Sequence, residues 1–364
     1  MLSIARGTCY SIFVHDIAFA IDLNEAERRI SSATRETIKH KRRAPQYFEY
    51  SPAPLRIAEG TQRVRIDESF ETDSQVELVV YDFGAVTVLY RMDIRGDSSR
   101  LLTLSENLYE NKTLLAESRR KVEDLFKMIQ PALTKANISS FVEDYVIFQV
   151  HAFGENVAID DLTTRYAAHV TQILRAEARE PSADEIKDAT SHCISFGQND
   201  IVVVDWYAAL VVDAEAEDVL TVLEFANVEL LEVRFLDQRL DDALSLAYER
   251  LSKRSNRWFQ FRSAPDLREI SQWQVDSAIL FEGVNNVLKL LGDQYLARLY
   301  RLVAQRFHLP DWDGSILRKL ETLEGIYQKI SDQIVSRRME VLEWIIIFLI
   351  AISIILPFVS QNVH

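Results

Sequence analysis

From Trp344 to Val359 the chain reads WIIIFLIAISIILPFV, an uncharged apolar run near its C-terminal end. An apolar stretch this long has two ordinary fates, a helix that crosses a bilayer or one buried in a large core. At about 1.5 Å per residue the run reaches roughly 24 Å, and extending it back to Met339 brings it to the ~30 Å of a hydrocarbon layer. Trp344 at its edge and Arg337 and Arg338 before it are placed like interfacial and topology-setting residues. The expectation is therefore a membrane anchor formed by Leu342, Glu343, Trp344, Ile345, Ile346, Ile347, Phe348, Leu349 and Ile350. With no Lys or Arg after Val359, the preceding body would lie in the cytoplasm, as in single-pass, tail-anchored proteins.

The remainder reads as a folded body, since 48% hydrophobic and 26% charged residues among 364 are too apolar for disorder. A net charge of −14 argues against a general nucleic-acid surface. Two local basic patches stand out. One is Lys39, His40, Lys41, Arg42 and Arg43 before Tyr47, Phe48 and Tyr50. The other is Lys253, Arg254, Arg257 and Arg262 among Trp258, Phe259 and Phe261. Each is a solvated surface or a contact to anionic lipid or RNA. The two cysteines, Cys9 and Cys193, sit far apart in apolar runs and suit a reducing compartment. His15 and Asp16 break the first apolar stretch, which excludes a signal peptide, and no transit-peptide composition follows.

Runs rich in β-branched and aromatic residues predict strands at Cys9–Val14, Val76–Tyr90 with a turn at Asp82–Gly84, Tyr145–Ala152, Ile201–Val212 and Val228–Phe235. Helical patterns cover Leu101–Ile129, Asp160–Ala176, Ala214–Phe225 and Leu240–Lys253. Glu177–Ser191 reads as a surface excursion. After Lys253 the strand signals vanish, and from Ile270 the chain reads as long amphipathic helices, with a break at Leu309–Asp311 and Asp313 as an N-cap. The expected fold is α+β, a mixed α/β body followed by a helical hairpin or stalk and one C-terminal transmembrane helix. Its regions would be 1–135, 136–255, 256–338 and 339–360.

Leu320, Leu323, Tyr327, Ile330 and Ile334 recur every three or four residues, like a coiled-coil seam. The stripe serves either an intramolecular hairpin or a homo-oligomer.

Common enzyme and nucleotide-binding motifs are absent from the sequence. His151, His169 and His192 have no ligand spacing. Asp311 and Asp313 around Trp312 read as a turn and cap, with cation binding the sharper alternative. Glu229, Glu232, Asp237, Asp241 and Asp242 form an acidic stretch that is either a solvated face or the carboxylates of a metal-dependent hydrolase or nuclease. No catalytic residue, cofactor or metal site is assigned.

Two segments resemble the required-for-meiotic-nuclear-division family: Arg337, Arg338, Leu342, Glu343 and Trp344 leading into the apolar run, and Tyr81–Val86 (YDFGAV). The resemblance implies a membrane-tethered organiser with a translation-related partner; the absence of a transit peptide favours a bacterial inner membrane, with a mitochondrial inner membrane the alternative. The reading that unites these features is a non-enzymatic, oligomeric scaffold that contacts membrane lipid and recruits a macromolecular partner.

Overall fold

The architecture follows from one long strand that must be covered on both faces. In a computed structural model, which describes residues 2–30, 33–35, 52–254 and 294–361, β1 runs through Ser3–Asp16. From Ser11 to Asp16 every residue is buried, whichever face it occupies. Alternate residues of a strand point to opposite sides, so neither face of the sheet is left to solvent there.

Ten further strands are described: β2 (Ala20–Ile21), β3 (Ala33–Arg35), β4 (Leu55–Gly60), β5 (Gln75–Val80), β6 (Ala85–Asp97), β7 (Leu133–Thr134), β8 (Val142–Phe153), β9 (Cys193–Ile194), β10 (Ile201–Val204) and β11 (Ala208–Val212). Nine form one sheet in the order β3-β4-β5-β6-β1-β8-β11-β10-β9, and β2 pairs with β7. Neighbours are antiparallel except β11, which runs parallel to β8. Cys9 lies opposite Met92 on β6 and Phe148 on β8, all three fully buried.

The face bearing Cys9 and Phe13 is packed by α2 (Ser98–Leu108), α3 (Lys112–Ile129) and α4 (Ala167–Arg175). Asn111 caps α3 by accepting the Leu114 N–H at 2.9 Å, and Asp22 caps the short α1 (Leu23–Arg29) in the same way. α5 (Ala183–Ser191), capped by Ser182, occupies what the sequence suggested was a surface excursion.

The opposite face carries Ile12, Val14, Leu89, Tyr145, Ile147 and Val211, and is met by α6 (Glu217–Arg254). Arg56 of β4 binds Glu224 at 3.1 Å, Tyr81 donates to Glu224 at 3.0 Å, and Arg234 pairs with Glu143 of β8. α7 (Gln294–Arg306) lies on α6, where Tyr300 donates to Glu229 at 2.5 Å. Enclosed by the sheet and by α7, residues Val228–Phe235 keep their apolar run on a helix, so the expected strand is instead one turn after another of α6. A helix buried from several sides loses the amphipathic period that would have identified it.

The chain divides into two compact units, Met1–Phe235 with Leu280–Asp313, and Leu236–Ile279 with Gly314–His364. The first holds the sheet. In the second, α6 buries Leu240, Ala243 and Ala247, and α8 (Leu309–Gln361) buries Ile316, Leu323 and Ile326. Lys319 of α8 clamps both Asp237 at 2.8 Å and Asp241 at 2.6 Å.

The transmembrane expectation is corrected here. Among the described residues no helix is long and apolar enough to cross a membrane. The apolar run from Trp344 lies on α8, whose side chains are described as far as Ser353. The turn before it carries Glu340 and Glu343, both exposed. The single-pass, tail-anchored reading, the anchor role of Leu342–Ile350 and the inner-membrane location are overturned. The side chains of Arg337 and Arg338 lie outside the described residues.

His15 of β1 is fully buried, with Nε2 at 3.0 Å from Ser118 Oγ on α3. Ser118 gives its own proton to the Leu115 carbonyl at 2.8 Å, so the histidine is the donor, and its Nδ1 has no partner. Burial, then the nearby charge of Arg119, lowers its pKa to about 4. The unfolded chain takes up that proton at higher pH, so this stabilisation is complete above the ordinary histidine pKa near 6.5 and is lost as pH falls towards 4. His15→Gln should remove about 3 kcal/mol of the change in unfolding free energy between those limits, measured by urea denaturation at stepped pH against the parent chain.

Candidate functional site

Within IVVVDWYAALVV the single charge is Asp205, and the structure bends the chain there. The expected strand Ile201–Val212 is a hairpin, β10 and β11, with Asp205, Trp206 and Tyr207 at its turn. Asp205 is fully buried, a placement that is costly unless every lone pair is met.

Here they are met. Oδ1 accepts the Trp206 N–H at 2.7 Å and Arg306 Nε at 2.9 Å, and Arg306 Nη2 as well. Oδ2 accepts Arg175 Nε at 2.8 Å, and the Tyr145 hydroxyl donates to the Asp205 carbonyl at 2.9 Å. Both guanidinium groups also reach Asp188 of α5, at 2.7 Å from Arg175 and 2.8 Å from Arg306, and Arg175 pairs with Glu185. The Arg306 hydrogen bond holds the Asp188 carboxyl below the usual range, against a smaller opposing push from burial. One carboxylate thus ties together β10–β11, α4, α5 and α7.

The consequence lies one residue on. Trp206, its N–H fixed by Asp205, is 49% exposed, and Tyr109 at the end of α2 is 43% exposed. Their rings meet edge to face with centroids 6.4 Å apart, and Tyr109 packs at 5.2 Å on the buried Tyr207. Chemically the arrangement positions and presents. Arginines do not exchange protons near neutrality, and Asp205 is buried with an arginine on each of its oxygens.

The residues singled out from sequence are dispersed. Glu229 and Glu232 are buried in the first unit, whereas Asp237 and Asp241 are held by Lys319 in the second and Asp242 accepts from Gln238 at 3.2 Å. Among the described residues no group of three or more His, Cys, Asp or Glu could hold a metal ion. Burial raises Glu229 to about 8, opposed by the Tyr300 hydrogen bond, and raises Glu143 to about 7, opposed by Arg234. Both are enclosed and partnered. His151 meets Thr8 at 3.0 Å, His169 meets Gln172 at 3.3 Å and His192 meets Ser191 at 3.1 Å.

Asp311 pairs with His308 at 3.1 Å, and α8 begins before Asp313, which therefore lies within the helix and not at its cap. Cys9 and Cys193 are free thiols whose pKa values burial pushes up. In the seam, Leu323 is buried, Leu320 and Tyr327 are half-buried, and the side chains of Ile330 and Ile334 lie outside the described residues. The basic patches at 39–50 and 253–262 also lie outside them, apart from the backbone of Lys253 and Arg254 at the end of α6.

Sequence reasoning missed Arg175, Asp188, Asp205 and Arg306, which carry no local spacing. The available signal was a lone Asp inside an apolar run.

A family described as "Uncharacterized protein MJ0711, N-terminal domain" matches residues 6–218, from β1 into the start of α6. The chain belongs to this family. The match includes Arg175, Asp188, Asp205 and Trp206, while Arg306 lies outside it. The uncharacterized protein MJ0711 of Methanocaldococcus jannaschii is 24% identical over 250 residues, 68% of this chain and 76% of that protein. No solved structure matches.

Membership of the MJ0711 family overturns the resemblance to the required-for-meiotic-nuclear-division family. The Tyr81–Val86 motif has a local cause instead. Gly84 has φ +109°, and a Cβ there would stand 1.8 Å from the Ala18 carbonyl oxygen, so the β5–β6 turn demands glycine in whatever fold uses it. The translation-related partner is not carried forward.

If Asp205 is the tie, Asp205→Asn should destabilise the chain by about 3 kcal/mol, because two buried guanidinium groups lose a charged partner. Asp188→Asn, at a half-exposed position, should cost under about 1 kcal/mol. Paired urea melts of the two variants would check this, and equal costs would remove the central role of Asp205.

Proposed function

We propose that this protein is a non-enzymatic scaffold that assembles with copies of itself through the C-terminal part of α8, leaving its sheet unit to recruit a macromolecular partner. One observation carries the reading. From Val335 to Ile352, twelve large apolar side chains of α8 are more than a third exposed, among them seven in succession, Trp344 to Ile350. Successive helical residues turn by about 100°, so this segment is apolar on every side. Such a helix is stable only when surrounded, and exposed apolar area beyond a few hundred Å² marks an interaction surface. Further copies of the same segment meet that demand on all sides at once. The half-buried Leu320 and Tyr327 upstream continue the seam.

The sheet unit supports recruitment over catalysis. Its arginines and buried carboxylates are engaged with one another, and its exposed aromatic residues stand on a braced turn.

Light scattering on the full chain in mild detergent, beside a chain ending at Arg338, tests the assembly. The full chain should form a defined oligomer and the truncated chain a monomer, with Ile346→Asp weakening association at least about tenfold, or ~1.4 kcal/mol. Two monomers would sink the proposal, as would a full chain that floats with phosphatidylcholine vesicles yet stays monomeric.

A further inference from the structure

The turn between α2 and α3 brings two more features to the exposed aromatic pair. Glu110 adopts φ +50°, an uncommon backbone for a residue with a side chain, directly after Tyr109. Its charge reaches Asp144 on β8, and the charge of Asp144 reaches Tyr207. Both acids are exposed. The neighbouring arginines do not neutralise them, because Arg175 and Arg306 face three carboxylates of their own, Asp188, Asp205 and Glu185. The surface around Trp206 is therefore aromatic and negative.

We infer that Trp206, Tyr109, Glu110 and Asp144 form the docking surface for a protein segment that presents an arginine or lysine beside an apolar residue. The reasoning is one of complementarity. A guanidinium or ammonium is attracted to the open face of an indole and to nearby carboxylates, while its aliphatic stem or an adjacent apolar residue covers the rings. Nucleic acid is disfavoured, since phosphates would approach uncompensated acids. Exposed Trp and Tyr are the residue types that most often dominate protein interfaces. The Asp205 hydrogen bond to the Trp206 N–H fixes the indole's backbone in advance, so less order has to be imposed on binding. The inference rests on the reading that the sheet unit recruits a partner, and is independent of assembly through α8.

The test uses the full chain labelled with fluorotryptophan, with the Trp206 resonance assigned by its loss in Trp206→Phe. The probes are the peptide acetyl-Gly-Arg-Leu-Arg-Leu-Gly-amide, its counterpart with Glu in place of Arg, and an oligouridylate. The Arg peptide should shift the Trp206 resonance saturably, with affinity falling several-fold at about 0.5 M salt. Glu110→Gln should weaken it about threefold, and Trp206→Ala should abolish saturable peptide binding followed by calorimetry without changing the melting temperature. If Trp206→Ala does lower the melting temperature, Glu110→Gln decides. No shift, an equal shift with the Glu peptide, or a larger one with oligouridylate would overturn the inference. A monomeric chain in light scattering would remove the assembly proposal and leave this titration standing.

Discussion

A carboxylate with no access to water must be neutralised by the protein itself, and at Asp205 this requirement organises the end of the sheet. Arg175 comes from α4 and Arg306 from α7, 131 positions later in sequence, yet both close on the same carboxylate, one at each oxygen. Either guanidinium alone would leave lone pairs unmet, and Asp205 alone would leave two largely buried cations. The group therefore holds only as a whole. Through it α5 is drawn in by Asp188, and the tip of the β10–β11 hairpin is fixed by the Trp206 N–H.

The same logic extends across the sheet. β1 is apolar on both faces, so cover on one side alone would leave a water-exposed apolar surface. α2, α3 and α4 supply one cover and α6 the other. α6 crosses a sheet that still carries polar groups, and each is answered: Arg56 and Tyr81 meet Glu224, and Arg234 meets Glu143. Charges that in sequence look like candidates for chemistry are consumed in joining elements. The acidic stretch from Glu229 to Asp242 is divided in this way: Glu229 meets Tyr300, Asp237 and Asp241 share Lys319, and Asp242 accepts from Gln238.

What is left over is informative. Among the described residues, the exposed apolar surface includes the aromatic tip at Trp206 and Tyr109 and the apolar length of α8. Family membership attaches residues 6–218 to the MJ0711 N-terminal domain, which contains the first of these surfaces and not the second. Recognition at the sheet unit and assembly through α8 can accordingly be separate properties.

The sequence by itself determined the alternation of strands and helices, the turn at Asp82–Gly84, the helical character beyond Gln294, and the buried placement of Cys9, because each rests on local periodicity or local backbone chemistry. It misassigned Val228–Phe235, since β-branched and aromatic residues fit a strand and an enclosed helix equally well, and only the packing of α7 and the sheet around α6 chose the helix. It joined β10 to β11, because one Asp in an apolar run does not reveal that two arginines far along the chain will receive it. It also suggested an anchor from length and hydropathy alone, while among the described residues no helix is long and apolar enough to cross a membrane. Long-range charge pairing and two-sided burial are properties of residues distant in sequence, and no local pattern encodes them.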